Sequence, residues 1–265
     1  AILSRGISPF SATTRSPSLR RATSTGARYS GMGVAGVDGC RGGWVAAALT
    51  LVGGRASLTL RVYPCFAALL EALGSAEAVA VDMPIGLYEA GRARPRPCDM
   101  VARKRLGKRA CTVFIPPTRA MLKGQPYADL RPMGLSVQAY HLIPRIREID
   151  ALITPQLQRR VWESHPELSF MAMNGAPVAL PKRTEAGQQA RYALLQQALP
   201  LLCPDWWEAV QAFGVSQPRK LARIDDLLDA CALAWSAWRH MQGQSEACIG
   251  EPAHDARGLE MAIRY

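Results

Sequence analysis

Residues Val34–Leu49 read VAGVDGCRGGWVAAAL. An apolar run meets one acid, Asp38, at a glycine-rich turn and then resumes as a second apolar run. The pattern predicts a strand, a carboxylate at its end, a tight turn and a return strand. A charge between two core strands needs a physical reason, because a buried unpaired carboxylate is costly. Asp38 is therefore read as the first ligand of a divalent-metal site, with its partners to be found elsewhere in the chain. A plain turn-forming role for Asp38 stays open at this point.

Further along, extended segments are expected at 34–38, 43–51 and 56–63, with Gly53–Gly54 turning between the second and third. Phe66–Leu73 reads as a short helix. Glu77–Asp82, EAVAVD, reads as a fourth strand that ends in a second acid. Adjacent parallel strands would bring Asp38 and Asp82 together at one edge of the sheet, where open α/β sheets place their ligands. Two close carboxylates repel each other unless a cation lies between them. Magnesium suits such a site, since it takes oxygen ligands and keeps several waters.

After Asp82 the chain turns Pro- and Gly-rich. Cys98–Lys108 reads as a short basic helix, and residues 91–110 hold eight basic side chains against one acid. Ser136–Leu152 reads as an amphipathic helix that Pro144 is expected to kink. Arg159–Glu163 is a short strand, and SHPELSF, Ser164–Phe170, turns into a helix. Further helices are expected over 184–199 and 204–213, separated by Pro200 and Pro204. A last long helix spans about Pro218–Gln242, and a terminal strand, Gly258–Tyr265, is expected to close the sheet.

The last helix opens ARIDDLLDACALAW. Asp226 and Asp229 are three residues apart and share a face; Asp225 and Asp229 are four apart. Asp225 and Asp226 also suit the positive end of a helix dipole, whereas Asp229 sits in an otherwise apolar, small-residue stripe. Glu163, at the end of RRVWE, is a fourth candidate. His165 is read either as a structural residue or as a proton relay. Trp206, Trp207, Trp235 and Trp238 read as packing residues, not as a base-stacking platform.

Composition bounds the rest. The 265 residues, 49% hydrophobic, are enough for one large domain with a full core. No apolar run approaches the ~20 residues of a membrane span, so a soluble chain with no membrane partner is expected. The formal charge is +11, of which the acid-free segment 1–31 contributes five arginines. The remainder is still basic and permits a polyanionic partner. Seven scattered cysteines without a CxxC pair predict reduced thiols and a cytoplasmic protein, and argue against a zinc site. Residues 1–31 are excluded from the fold, as an extension upstream of Met32, a presequence, or a tag or linker.

Taken together, GVDGCRGGWVAA, VAVDMPIGL, CDMVARKRLGKRACTVFIPPTR, VWESHPELSFMAMNG and DDLLDACALA resemble the domain of unknown function 429 family, a family of predicted RNase H-like nucleases. The resemblance runs from about Met32 to Tyr265. It implies an α/β fold of RNase H-like type. That is a mixed five-stranded sheet with helices on both faces and a helical and loop insertion, about 84–155, after the fourth strand, all in a single domain 32–265. It also implies an acidic metal site. By position, Asp38 matches the first-strand acid, Asp82 the fourth-strand acid, Asp229 the last-helix acid and Asp226 its neighbour one turn earlier. Glu163 and Glu167 match the family's ESxPE segment.

The expected activity is therefore metal-dependent hydrolysis of nucleic-acid phosphodiesters with two Mg²⁺ or Mn²⁺ ions. Asp38, Asp82, Glu163, Asp226 and Asp229 are the candidate catalytic residues, and Asp38, Asp82, Asp226 and Asp229 the candidate ligands. Arg103, Lys104, Arg105, Lys108, Arg109 and Lys182 are candidate phosphate contacts for a nucleic-acid partner; the basic stretch also reads as a solvated face. Arg183 and Arg191 are further anion candidates. Two other functions stay open. One is a non-catalytic nucleic-acid or protein-binding module on the same fold. The other is a phosphotransferase of the actin-like ATPase and sugar-kinase type, which would place a deep cleft between two similar domains.

Overall fold

A computed structural model describes residues 33–52, 55–199, 201–216 and 221–265. The extension 1–31, Met32, the Gly53–Gly54 turn, Pro200 and the residues 217–220, where the last helix was expected to start, lie outside the described residues.

Strands β1 (Gly33–Cys40), β2 (Gly43–Val52) and β3 (Arg55–Tyr63) form an antiparallel meander. After helix α1 (Phe66–Ala72), strand β4 (Ala76–Val81) runs parallel to β1. Strand β5 (Val161–Glu163) runs parallel to β4, so the mixed sheet has the order β3-β2-β1-β4-β5. A parallel neighbour needs a crossover. The chain between β4 and β5 supplies a long one, carrying α2 (Pro97–Leu106), α3 (Tyr127–Leu130) and α4 (Val137–Leu152). Helix α4 starts where the Ser136 hydroxyl accepts the Ala139 N–H at 3.1 Å, and it continues through Pro144 to Leu152.

The central strands are mostly apolar because both faces are covered, with Asp38 in β1 and the exposed Glu77 in β4 as the charged exceptions. Val34, Cys40, Val45, Ala47, Ala78 and Ala80 face a core completed by α5 (Pro166–Asn174), α6 (Glu185–Ala198), α7 (Trp206–Ser216) and α8 (Ile224–Met241). Ala35, Val37, Trp44, Ala46, Val79 and Val81 face a second core closed by α1 and α4. Trp206 is fully buried and packs edge-on with Trp207, in keeping with a packing role.

Strands β6 (Ala247–His254) and β7 (Glu260–Arg264) pair only with each other. The terminal strand expected to close the main sheet instead forms this separate hairpin, which packs on α2 through Cys248, Met261 and Ile263. The Arg119 guanidinium ties the hairpin to α4, reaching Asp255 at 2.7 Å and Asp150 at 3.0 Å. No helix among the described residues is long and apolar enough to cross a membrane.

Candidate functional site

Register and strand period together bring two acids side by side. Val37 pairs with Val81, and the Asp82 N–H donates to the Val37 carbonyl at 2.9 Å. Asp38, near the carboxyl end of β1, and Asp82, just past the end of β4, therefore lie on neighbouring strands on the face covered by α8. The third acid arrives by close packing. Gly36 lies against α8 so tightly that a Cβ there would sit 2.1 Å from the Ala230 carbonyl and the Ala234 nitrogen. Small residues on both elements permit this approach. Asp38, two residues on from Gly36, lies toward the start of α8, where Asp229 and Asp226 stand.

Asp38 is 7% exposed and Asp229 1%, while Asp82 is half-buried. Burial, then repulsion from Asp82 and Asp229, holds the Asp38 carboxyl well above the usual carboxylate range. Burial likewise raises Asp82, against the pull of His165 and Lys182. Asp229 is pushed up to about 6 by burial, with Lys182 opposing. The Lys182 ammonium sits 2.6 Å from Asp229 Oδ2. Its proton is held above the ordinary lysine value by Asp229 first, and by Asp38 and Asp82 beyond it. Lys182, read from the sequence as a phosphate contact, lines the cleft and pairs with Asp229. Among the described residues, no three His, Cys, Asp or Glu side chains are already grouped to hold a metal ion.

Asp226 stands at the margin. Its Oδ2 accepts the Arg223 N–H at 2.8 Å, so it caps α8, while burial raises its carboxyl above the ordinary value. It nevertheless lines the same open cleft of about 740 Å³ as Asp38, Asp82 and Lys182.

Glu163 does not join the cluster, which corrects its placement as a catalytic residue. Its register partner is Val81, so its side chain points to the opposite face from Asp38 and Asp82. There Arg96, 1% exposed, takes both its oxygens at 2.6 and 2.7 Å, the Ile85 N–H adds a third bond at 2.8 Å, and Asp99 shares the guanidinium at 2.6 Å. Strand parity decides this outcome, and the residue types alone do not reveal it.

The basic residues divide in the same way. Arg109 and Arg183 line the cleft, although Arg109 also reaches Glu167 at 3.1 Å. Lys104 and Lys108 are exposed. Arg103 is spent on the Val113 carbonyl at 2.6 Å, and Arg105 on Glu246 at 2.8 Å and on the Tyr265 hydroxyl. These last two are thus structural contacts. Arg191, read as an anion candidate, is buried and clamps Glu167 at 2.6 and 2.8 Å. His165 has both ring nitrogens engaged: Nδ1 accepts the Glu167 N–H at 3.2 Å, and Nε2 faces the Thr112 carbonyl at 3.2 Å. That makes it the cap of α5, not a free relay. Glu167 matters more than its place in the sequence suggested, since its charge reaches both Asp82 and Asp229. Its spacing within ESHPE was the signal.

No curated protein and no solved structure matches the chain. Residues 36–254, which contain every acid of the cluster, match the family described as "Protein of unknown function (DUF429)", and the chain belongs to that family.

Proposed function

We propose that this chain is a metal-dependent phosphodiesterase of RNase H-like fold that acts on nucleic acid. The observation that carries the reading is the approach of Asp38 and Asp82, drawn from two parallel strands, at an open cleft, with Asp229 of the covering helix buried within reach of both their charges. The sheet order, an antiparallel meander followed by two parallel strands, supports the fold assignment.

The three carboxylates fit a hard dication such as Mg²⁺ or Mn²⁺, because they offer oxygen donors. Three carboxylates against one ammonium leave two negative charges in a buried site, the amount one such ion cancels. Asp38, Asp82 and Asp229 would hold it. The chemistry it supplies when bound is activation of water and stabilisation of charge on the leaving oxygen. The chain's own residues bind and orient the substrate. Arg183 and Arg109, which line the same cleft as the carboxylates, would attract a phosphate to it, and Gln138 and His141 of α4 also line it. Asp226 extends the acidic floor toward the rim.

The Lys182–Asp229 ion pair favours one second reading, a non-catalytic nucleic-acid-binding module, because it partly compensates the acids without any metal. One experiment separates the two. Single-stranded, duplex, branched, RNA and hybrid substrates are incubated with the protein and Mg²⁺ or Mn²⁺, alongside Asp38→Asn and Asp82→Asn. The nuclease reading expects cleavage by the wild type and background rates from both variants. Equal cleavage by all three, or binding without cleavage of any substrate, would overturn it.

A further inference from the structure

Lys182 is placed by construction. It lies in the turn before α6, and the residues around it are pinned. The Leu180 carbonyl accepts from Arg191 at 3.0 Å, and the Pro181 carbonyl accepts from the Thr184 hydroxyl at 2.8 Å and the Thr184 N–H at 3.1 Å. Gly187 backs onto this turn so closely that a Cβ would meet the Pro181 carbonyl at 1.9 Å. Arg191 in turn is locked to Glu167 on α5. A side chain that merely wandered over the surface would not need this scaffold. It delivers one ammonium to a carboxylate that is 1% exposed.

A two-ion site needs carboxylates converging from several elements onto cations ~3.5–4 Å apart. Of the other acids nearby, Glu163 is held by Arg96, Glu167 by Arg191 and Arg109, and Asp226, at the cleft margin, gives one oxygen to the Arg223 N–H. Asp38, Asp82 and Asp229 form the inner set, with Lys182 already on Asp229. Charge gives the same count: one dication with the ammonium balances three carboxylates, whereas a second dication would leave the pocket two charges positive.

We propose that Lys182 is the resident cation of the cluster, standing where a second metal ion would otherwise be required, so that the site takes a single divalent ion. This rests on the metal-dependent reading above and revises its expected two-ion stoichiometry. Substrate phosphate would then meet one metal ion and one fixed ammonium.

The test uses the full chain with Mn²⁺ alone, read by calorimetric stoichiometry and by electron paramagnetic resonance, which detects a second Mn²⁺ through spin coupling. The wild type is expected to bind one Mn²⁺ with an uncoupled spectrum. Lys182→Met is expected to bind two with a coupled spectrum, and Lys182→Arg to return to one. A coupled pair in the wild type overturns the proposal and leaves the metal reading intact; this arm needs no variant to fold. A stoichiometry of one in a folded Lys182→Met also overturns it. Absence of Mn²⁺ binding by the wild type removes the metal reading itself, and the proposal with it.

Discussion

At the scale of single residues, Asp229 sets a measurable cost on the metal-free protein. Its carboxyl titrates near 6 in the fold, because burial outweighs Lys182, against an ordinary value of 3.8. Between those two values the native state binds more protons than the unfolded chain. Stability is therefore fully present below about pH 4 and is lost as pH rises through 6. The displacement corresponds to about 3 kcal/mol at neutral pH. Asp38 and Asp82 act in the same direction. Asp229→Asn removes this titration and also takes the partner from Lys182, so it is expected to flatten the fall in stability between pH 4 and pH 7 in the chelated protein. Denaturant melts of both proteins in a chelator, taken across that window, check it. An unchanged pH slope in the variant would show that Asp229 is not the group whose burial sets that cost. Glu163 behaves differently, since it serves the fold. Removing it as Glu163→Ala leaves the Arg96 guanidinium buried and short of a partner, at an expected cost of about 3–5 kcal/mol. Mn²⁺ affinity of the folded fraction should change less than twofold. A large loss of metal affinity at unchanged stability would return Glu163 to the site.

At the scale of elements, the covering helix and the first strand act as one unit. The Gly36 contact with Ala230 and Ala234 fixes how near α8 comes to β1, and so where Asp229 stands relative to Asp38. Gly36→Ala puts a methyl group into helix backbone, which cannot step aside as a flexible side chain can. The expected loss is about 3 kcal/mol, with weaker Mn²⁺ binding because α8 carries Asp229 away. Thermal unfolding and calorimetry on the same samples measure both effects; a variant with native stability and affinity would show that α8 has room to spare. Gly36 could be seen in the sequence only as one more small residue. Asp38 and Asp82 were legible because an acid after an apolar strand is a conspicuous break in period. Asp229 was legible because it interrupts a small, apolar helix face. Their cation was not, because nothing in LPKRT says which way Lys182 turns. Glu163 was misplaced for a related reason: the letters show an acid at a strand end, but its face depends on the register against Val81. Strand β6 is not legible in the sequence because Gly250, Glu251 and Pro252 break its alternation, and without it β7 reads as a strand of the main sheet.

For the whole molecule, a basic composition says less about a partner than the positions of the charges left free. Of the six side chains first assigned to phosphate, Arg103 and Arg105 hold Val113 and the β6–β7 hairpin, and Lys182 holds Asp229. Lys104 and Lys108 remain exposed on α2 and just beyond its end, while Arg109 and Arg183 line the same cleft as the acids. If nucleic acid crosses this cleft, each phosphate contact releases counterions and steepens the salt dependence, by about 0.9 in the log–log slope for a duplex and about 0.7 for a single strand. Arg183→Ala removes an exposed side chain at the cleft. It is expected to lower the slope by one such increment without altering unfolding. Arg105→Ala breaks a half-exposed ion pair with Glu246. It is expected to cost at most about 1 kcal/mol of stability and to leave the slope unchanged. Fluorescence anisotropy titrations over a range of KCl concentrations, in Ca²⁺ to suppress cleavage, give both slopes. If Arg105→Ala flattens the salt dependence as much as Arg183→Ala does, the nucleic acid runs over the β6–β7 hairpin, and the acidic cleft is not its path.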